Sequence, residues 1–254
     1  MISRGLIALV AIAVVYAAPS SAQMNMPPYN TYPQNFYVPG LGDMDIQRAA
    51  EDARRDGVQP RSTLGARALD VVREGTRAPT RFVSLTFAPS QARRKANYAR
   101  FVAQSRSVDP AGAAGLAETL KSDPIAQMAP ELARDGLRTD NVADAYTVYW
   151  VEAWETVHGV TGETSRGTAE AVQRQASAAL LATPEFANAT DAQKQEFADA
   201  LLVQALLIGA AREQAGGDAA KLREIANAVR QGARASGLDL DAMMLTEDGF
   251  VPAE

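Results

Sequence analysis

The stretch "RTDNVADAYTVYWVEAWETVHG", Arg138 to Gly159, holds both tryptophans of the chain, two of its seven tyrosines and its only histidine, beside Asp144, Glu152 and Glu155. A carboxylate and an imidazole held out of water could transfer protons, which makes Glu155, His158 and Asp144 the candidate catalytic residues. Glu155 and His158 also have the Glu-x-x-His spacing of carboxylate-bridged di-metal bundles. That architecture needs the motif twice, and one histidine cannot supply it. A mononuclear site of Glu155, His158 and Asp144 would have one imidazole and no thiolate, a poor donor set for a transition metal. No metal and no cofactor is assigned from the sequence.

Whether these residues form a site depends on the element that carries them. At 100° per residue, Val142, Tyr146, Tyr149, Trp150, Ala153, Trp154 and Val157 fall on one broad helical face, and Asp144, Thr147, Glu155 and His158 on the opposite one. The aromatics and the ionisable groups point apart. A core helix, capped by Thr139 or Asp140 and stopped at Gly159, accounts for the pattern, with His158 favourably placed in its last turn. Val148 and Val151 lie on the polar side, so the helix could also be covered on both faces, with its acids bordering a second packed layer. The two readings are a core helix and a partly buried site.

Other catalytic patterns are missing. "GETSRG", Gly162 to Gly167, misses the nucleophile-elbow spacing by one residue, and no HExxH or GxGxxG string occurs. A cell-wall glycosidase with Glu155 as its acid needs a second carboxylate that the sequence does not single out.

The chain opens with Arg4, an apolar run from Leu6 to Val15, and Ser20-Ser21-Ala22, the pattern of a secretory signal peptide cleaved after Ala22. An apolar run of about 10 residues is too short for the ~20 that a spanning helix requires, so no stable membrane insertion is expected after cleavage. Removing the signal takes away one Arg and no acid, leaving a net charge of −6 from the −5 of the whole chain. That balance lacks the basic footprint of a nucleic-acid binder. The absence of cysteine suits a bacterial envelope protein, periplasmic or secreted, stabilised by its core alone.

Residues 23–42 follow as an uncharged Pro/Tyr-rich arm over most of their length, expected to be flexible and able to hold an envelope partner. Residues 43–79 read as a helical lead-in with a linker, 80–237 as a helical domain, and 238–254 as an acidic, partly ordered tail. Asp109-Pro110 and Asp123-Pro124 start two short helices. Thr190 and Gln193 form a capping box ahead of a helix that is apolar nearly all round and ends at Gly216-Gly217. Helices are also expected at Ser90–Arg106, at Ser165–Ala182 with Val172 and Leu180 inward, and at Asp218–Gly237 with Val229 and Ala233 inward. The Arg93-Arg94-Lys95 run reads as a solvated face, with anion binding as the alternative. "RFVSLTFAPS" alternates, placing Val83, Leu85 and Phe87 on one side; without a second strand of like quality, it should lie over the bundle or pair with a partner protein.

Two strings carry a resemblance: "LTFAPS", Leu85 to Ser90, ahead of the basic helix with Phe101, and "GLRTDNVADAY", Gly136 to Tyr146, ahead of Trp150 and Trp154. Together they resemble an uncharacterised family of secreted, mainly helical bacterial proteins, over about Thr80 to Gly237. The resemblance implies export and a helical fold, and carries no activity. The sequence thus predicts an all-α fold, a compact bundle of about six to eight helices with one extended segment packed on it. A non-catalytic envelope interaction or binding protein is the expected role; the alternative is an envelope hydrolase using Glu155 and His158.

Overall fold

A computed structural model describes residues 64–75, 83–183, 186 and 188–253. The expected signal, the expected arm and most of the expected lead-in lie outside the described residues. Eight α-helices are present among those described: α1 Leu64–Glu74, α2 Gln91–Val108, α3 Pro110–Lys121, α4 Pro124–Arg134, α5 Val142–His158, α6 Arg166–Leu181, α7 Asp191–Ala215 and α8 Ala219–Ala235. A 3₁₀ turn, Leu240–Ala242, leads into a hairpin of β1, Met243–Thr246, and β2, Gly249–Pro252. The fold is all-α apart from that hairpin.

Helix α5 is the axis, packed against α7, α6 and α8, while α2 packs on α7 and carries α3, which returns antiparallel so that Asp123 meets Tyr98 and Arg94. Fifteen of the 17 residues of α5 are buried, so it is covered on both faces. Helix α7 is likewise buried around most of its circumference, with Phe197, Leu201 and Ile208 almost fully enclosed. Among the described residues, no helix is long and apolar enough to cross a membrane.

The expected caps hold the helix ends. Asp109 and Asp123 accept from the backbone N–H groups of Gly112 and Ala126, each ahead of a proline at the first helical position. Thr190 and Gln193 complete the capping box of α7. The cap of α5 differs from expectation: it is Asn141, whose side chain accepts from the Ala143 N–H, rather than Thr139 or Asp140. The extended segment explains the shift. Phe87 N–H donates to the Asp140 carbonyl at 3.0 Å and Val142 N–H to the Leu85 carbonyl at 2.9 Å, an isolated bridge that keeps Asn141 extended, so the helix starts at Val142.

The Val83–Phe87 segment therefore lies on the bundle, with Leu85 and Phe87 buried. Two more of its carbonyls meet a buried lysine: Lys194 Nζ donates to Ser84 O at 2.6 Å and reaches Thr86 O at 3.5 Å. It presents no exposed apolar face to a partner.

Residues 238–253, expected as an acidic, partly ordered tail, are built into the fold. In the hairpin Met243 pairs with Pro252 and Thr246 with Gly249. Phe250 is buried and stacks on Trp150 with ring centres 4.5 Å apart. Gln175 grips the backbone of Phe250 twice, donating to its carbonyl at 2.7 Å and accepting from its N–H at 2.8 Å. Gly249 has φ +97°, and a Cβ there would lie 2.7 Å from Gln175 Oε1, so glycine is required on both counts.

Candidate functional site

The three predicted site residues are spread along α5. Asp144 sits in its first turn and His158 in its last, about 21 Å apart at the helical rise. They cannot act on one small substrate. Asp144 is engaged locally: its carboxylate accepts from the Arg138 N–H at 2.9 Å and from Gln173 Nε2 at 3.0 Å. Burial nevertheless raises its affinity for a proton above the ordinary carboxyl range, the two hydrogen bonds opposing the shift. His158 is exposed at the helix end. Its ring stacks on Trp154 at 4.5 Å, and Nε2 donates to the Leu240 carbonyl at 3.1 Å. That bond uses Nε2 to tie the helix end to the 3₁₀ turn.

Glu155 belongs to a cluster whose other members were not singled out in the sequence. Arg212, near the end of α7, places Nη1 2.9 Å from Glu152 Oε1 and 3.8 Å from Glu155 Oε2, while Nη2 donates to the Val160 carbonyl at 2.6 Å. Thr164 donates to Glu155 Oε1 at 2.6 Å. Both carboxylates are largely buried. Burial pushes the Glu152 carboxyl upward, and the guanidinium pulls it back. Paired carboxylates are the raw material of glycoside hydrolysis, which needs open space between them for a sugar or a water. Here one guanidinium bonds to Glu152 and pairs with Glu155, so the space a substrate needs carries a fixed cation. Among the described residues, no group of three or more acidic, histidine or cysteine side chains is arranged to hold a metal ion.

The sequence offered a signal for this cluster. Glu152 is an acid inside an otherwise apolar and aromatic run, and Arg212 directly follows the apolar run Ala205 to Ala211. Charges so placed need partners.

A concave site lies elsewhere, between α2 and α3. The groove has a volume of about 660 Å³; Ala99, Val102, Ala117 and Leu120 form its apolar floor, and Arg94, Lys95, Arg106 and Lys121 are its cations. Among the described residues its one carboxylate is Asp123, which accepts from Tyr98 Oη at 3.0 Å and lies 3.7 Å from Arg94. Arg94 is held from behind: its Nε donates to the fully buried Asp199 at 3.2 Å, and Asn97 donates to the other Asp199 oxygen at 2.8 Å. Burial raises the Asp199 carboxyl, with Asn97 and Arg94 countering it. The Arg93-Arg94-Lys95 run is thus divided. Arg93 bonds Gln195 at 2.9 Å, Arg94 bonds Asp199, and Lys95 is exposed at the groove.

The sequence profile of a family of unknown function, DUF6683, matches residues 2–252. The chain belongs to that family. The match to DUF6683 takes in nearly the whole chain, well beyond the Thr80 to Gly237 region that carried the resemblance. No curated protein and no solved structure matches this DUF6683 chain.

Proposed function

We propose that this protein is a non-catalytic binding protein exported to the cell envelope. The α2–α3 groove carries that reading, because it is concave, apolar in its floor and lined by four cations in a chain whose net charge is −5. The leader-like first 22 residues and the cysteine-free composition support export. The arm at residues 23–42 remains a second contact for an envelope partner. The hydrolase reading loses its support at Arg212, which occupies both Glu152 and Glu155, and at the bond that engages His158 with Leu240.

Native mass spectrometry of the protein taken gently from its own envelope compartment tests this. A bound species retained by a Glu155→Gln, His158→Ala variant fits a binding protein whose site lies away from α5. A bound species lost with those two side chains returns the site to α5.

A further inference from the structure

We propose that the α2–α3 groove binds an anionic amphiphile, a single apolar chain ending in a phosphate or carboxylate head, an inference that rests on the binding reading above. Three observations carry it.

The first is charge. Lys95 and Arg106 have no carboxylate within ion-pair distance among the described residues, whereas Lys121 pairs with Glu118 at 2.6 Å and Arg94 with Asp199 at 3.2 Å. Two uncommitted cations lining one groove of an acidic chain are complementary to an anion. Asp123, the opposing acid, accepts from Tyr98 Oη at 3.0 Å and lies 3.7 Å from Arg94, which it shares with Asp199.

The second is the order of the lining. On α2, Lys95, Ala99, Val102 and Arg106 recur at helical spacing, and Lys95 and Arg106 stand about 16 Å apart. The antiparallel return of α3 brings Leu120 and Lys121 to the Lys95 end and Ala117 toward the middle. The uncommitted Lys95, flanked by the paired Arg94 and Lys121, thus marks where a head group would sit, an apolar floor follows, and Arg106 stands at the far mouth.

The third is what the walls lack. Tyr98 is buried with its hydroxyl tied to Asp123, which leaves no free aromatic face in the groove for a base to stack on. Both walls are helices whose backbone groups bond internally, so there is no edge for an extended peptide. An apolar chain asks for neither.

The test is isothermal titration calorimetry of the full chain with dodecyl phosphate below its micellar concentration, alongside inorganic phosphate and the uncharged detergent dodecyl maltoside. Saturable binding of dodecyl phosphate to one site is expected, with inorganic phosphate and dodecyl maltoside at least about tenfold weaker. Lys95→Glu and Arg106→Glu are exposed changes that leave folding intact; reversing the charge at Lys95 should weaken dodecyl phosphate by at least about tenfold. No binding of dodecyl phosphate, equal binding of dodecyl maltoside, or an unchanged affinity in Lys95→Glu each overturns the proposal. Phosphate binding as tightly as dodecyl phosphate overturns it too, in favour of a simple anion site. If dodecyl phosphate fails while the envelope-purified protein carries another bound species, the ligand class falls and the binding reading stands. If both fail, the binding reading falls with it.

Discussion

The guanidinium of Arg212 lies 2.9 Å from the carboxylate of Glu152, joining the last turns of α7 to the middle of the central helix across 60 residues of sequence. This pair turns the most chemically promising stretch of the chain into framework. Each side chain is mostly removed from water, so breaking the pair strands a buried charge. Arg212→Met should destabilise the protein by about 3–5 kcal/mol, and adding Glu152→Leu to it should recover a large part of that loss. Urea unfolding of both variants measures this. A double variant as unstable as the single one would mean that the pair contributes through more than mutual charge compensation.

Asp144 sets a pH dependence. Its carboxyl, like those of Glu152 and Asp199, binds a proton more tightly in the folded chain than in the unfolded one, with burial the main cause. The stability from such a raised group is fully present below the unfolded value of about 4 and is lost as pH rises through the folded value. Asp144→Asn removes one contributor. Wild type should therefore lose stability relative to Asp144→Asn as pH rises from about 4 toward neutrality. Thermal unfolding at several pH values checks this, and a wild type that gains on Asp144→Asn as pH rises would contradict the assigned burial cost.

The C-terminal hairpin should behave as part of the core. Phe250→Ala removes the ring stacked on Trp150 and should cost about 3–5 kcal/mol. Gln175→Ala leaves the buried N–H and carbonyl of Phe250 without their partner and should cost about 1–3 kcal/mol. Tryptophan emission should shift to longer wavelength in Phe250→Ala, because Trp150 and Trp154 both donate into this hairpin, to Met243 Sδ and to the Met243 carbonyl.

Much of this fold was legible because its signals are local. The Asp-Pro starts of α3 and α4, the Thr190/Gln193 box and the apolar circumference of α7 lie within a few residues of the ends they define. Val148 and Val151, apolar residues on the polar side of α5, correctly hinted at a second covering layer, and both are buried. Features fixed by distant contacts were hidden. The cap moved to Asn141 because residues 85–87 bond to residues 140–142. The hairpin strands are four residues each, too short for alternation to stand out, and Phe250 is held by Gln175, 75 positions away. The site residues followed the same rule: Asp144, Glu155 and His158 could be placed on a helix, but their partners Gln173, Arg212, Thr164 and Leu240 come from four other segments. The groove depends on how α2 and α3 lean together, which no single helix pattern encodes.

His158 offers a simple discriminator. As a helix-end contact, its replacement by alanine should lower stability by about 1 kcal/mol through the lost Leu240 bond and Trp154 stacking. Differential scanning calorimetry should register that small loss with no dependence on added divalent metal. A metal-dependent stability that vanishes in His158→Ala would place a metal on the ring.

The Arg138 to Gly159 stretch builds the core, and the proposed binding role gives it no catalytic part. The most direct test is release of soluble sugar fragments from purified peptidoglycan, comparing the wild type with Glu155→Gln. The account predicts no release above the buffer control for either protein. Release by the wild type that disappears in Glu155→Gln would contradict it.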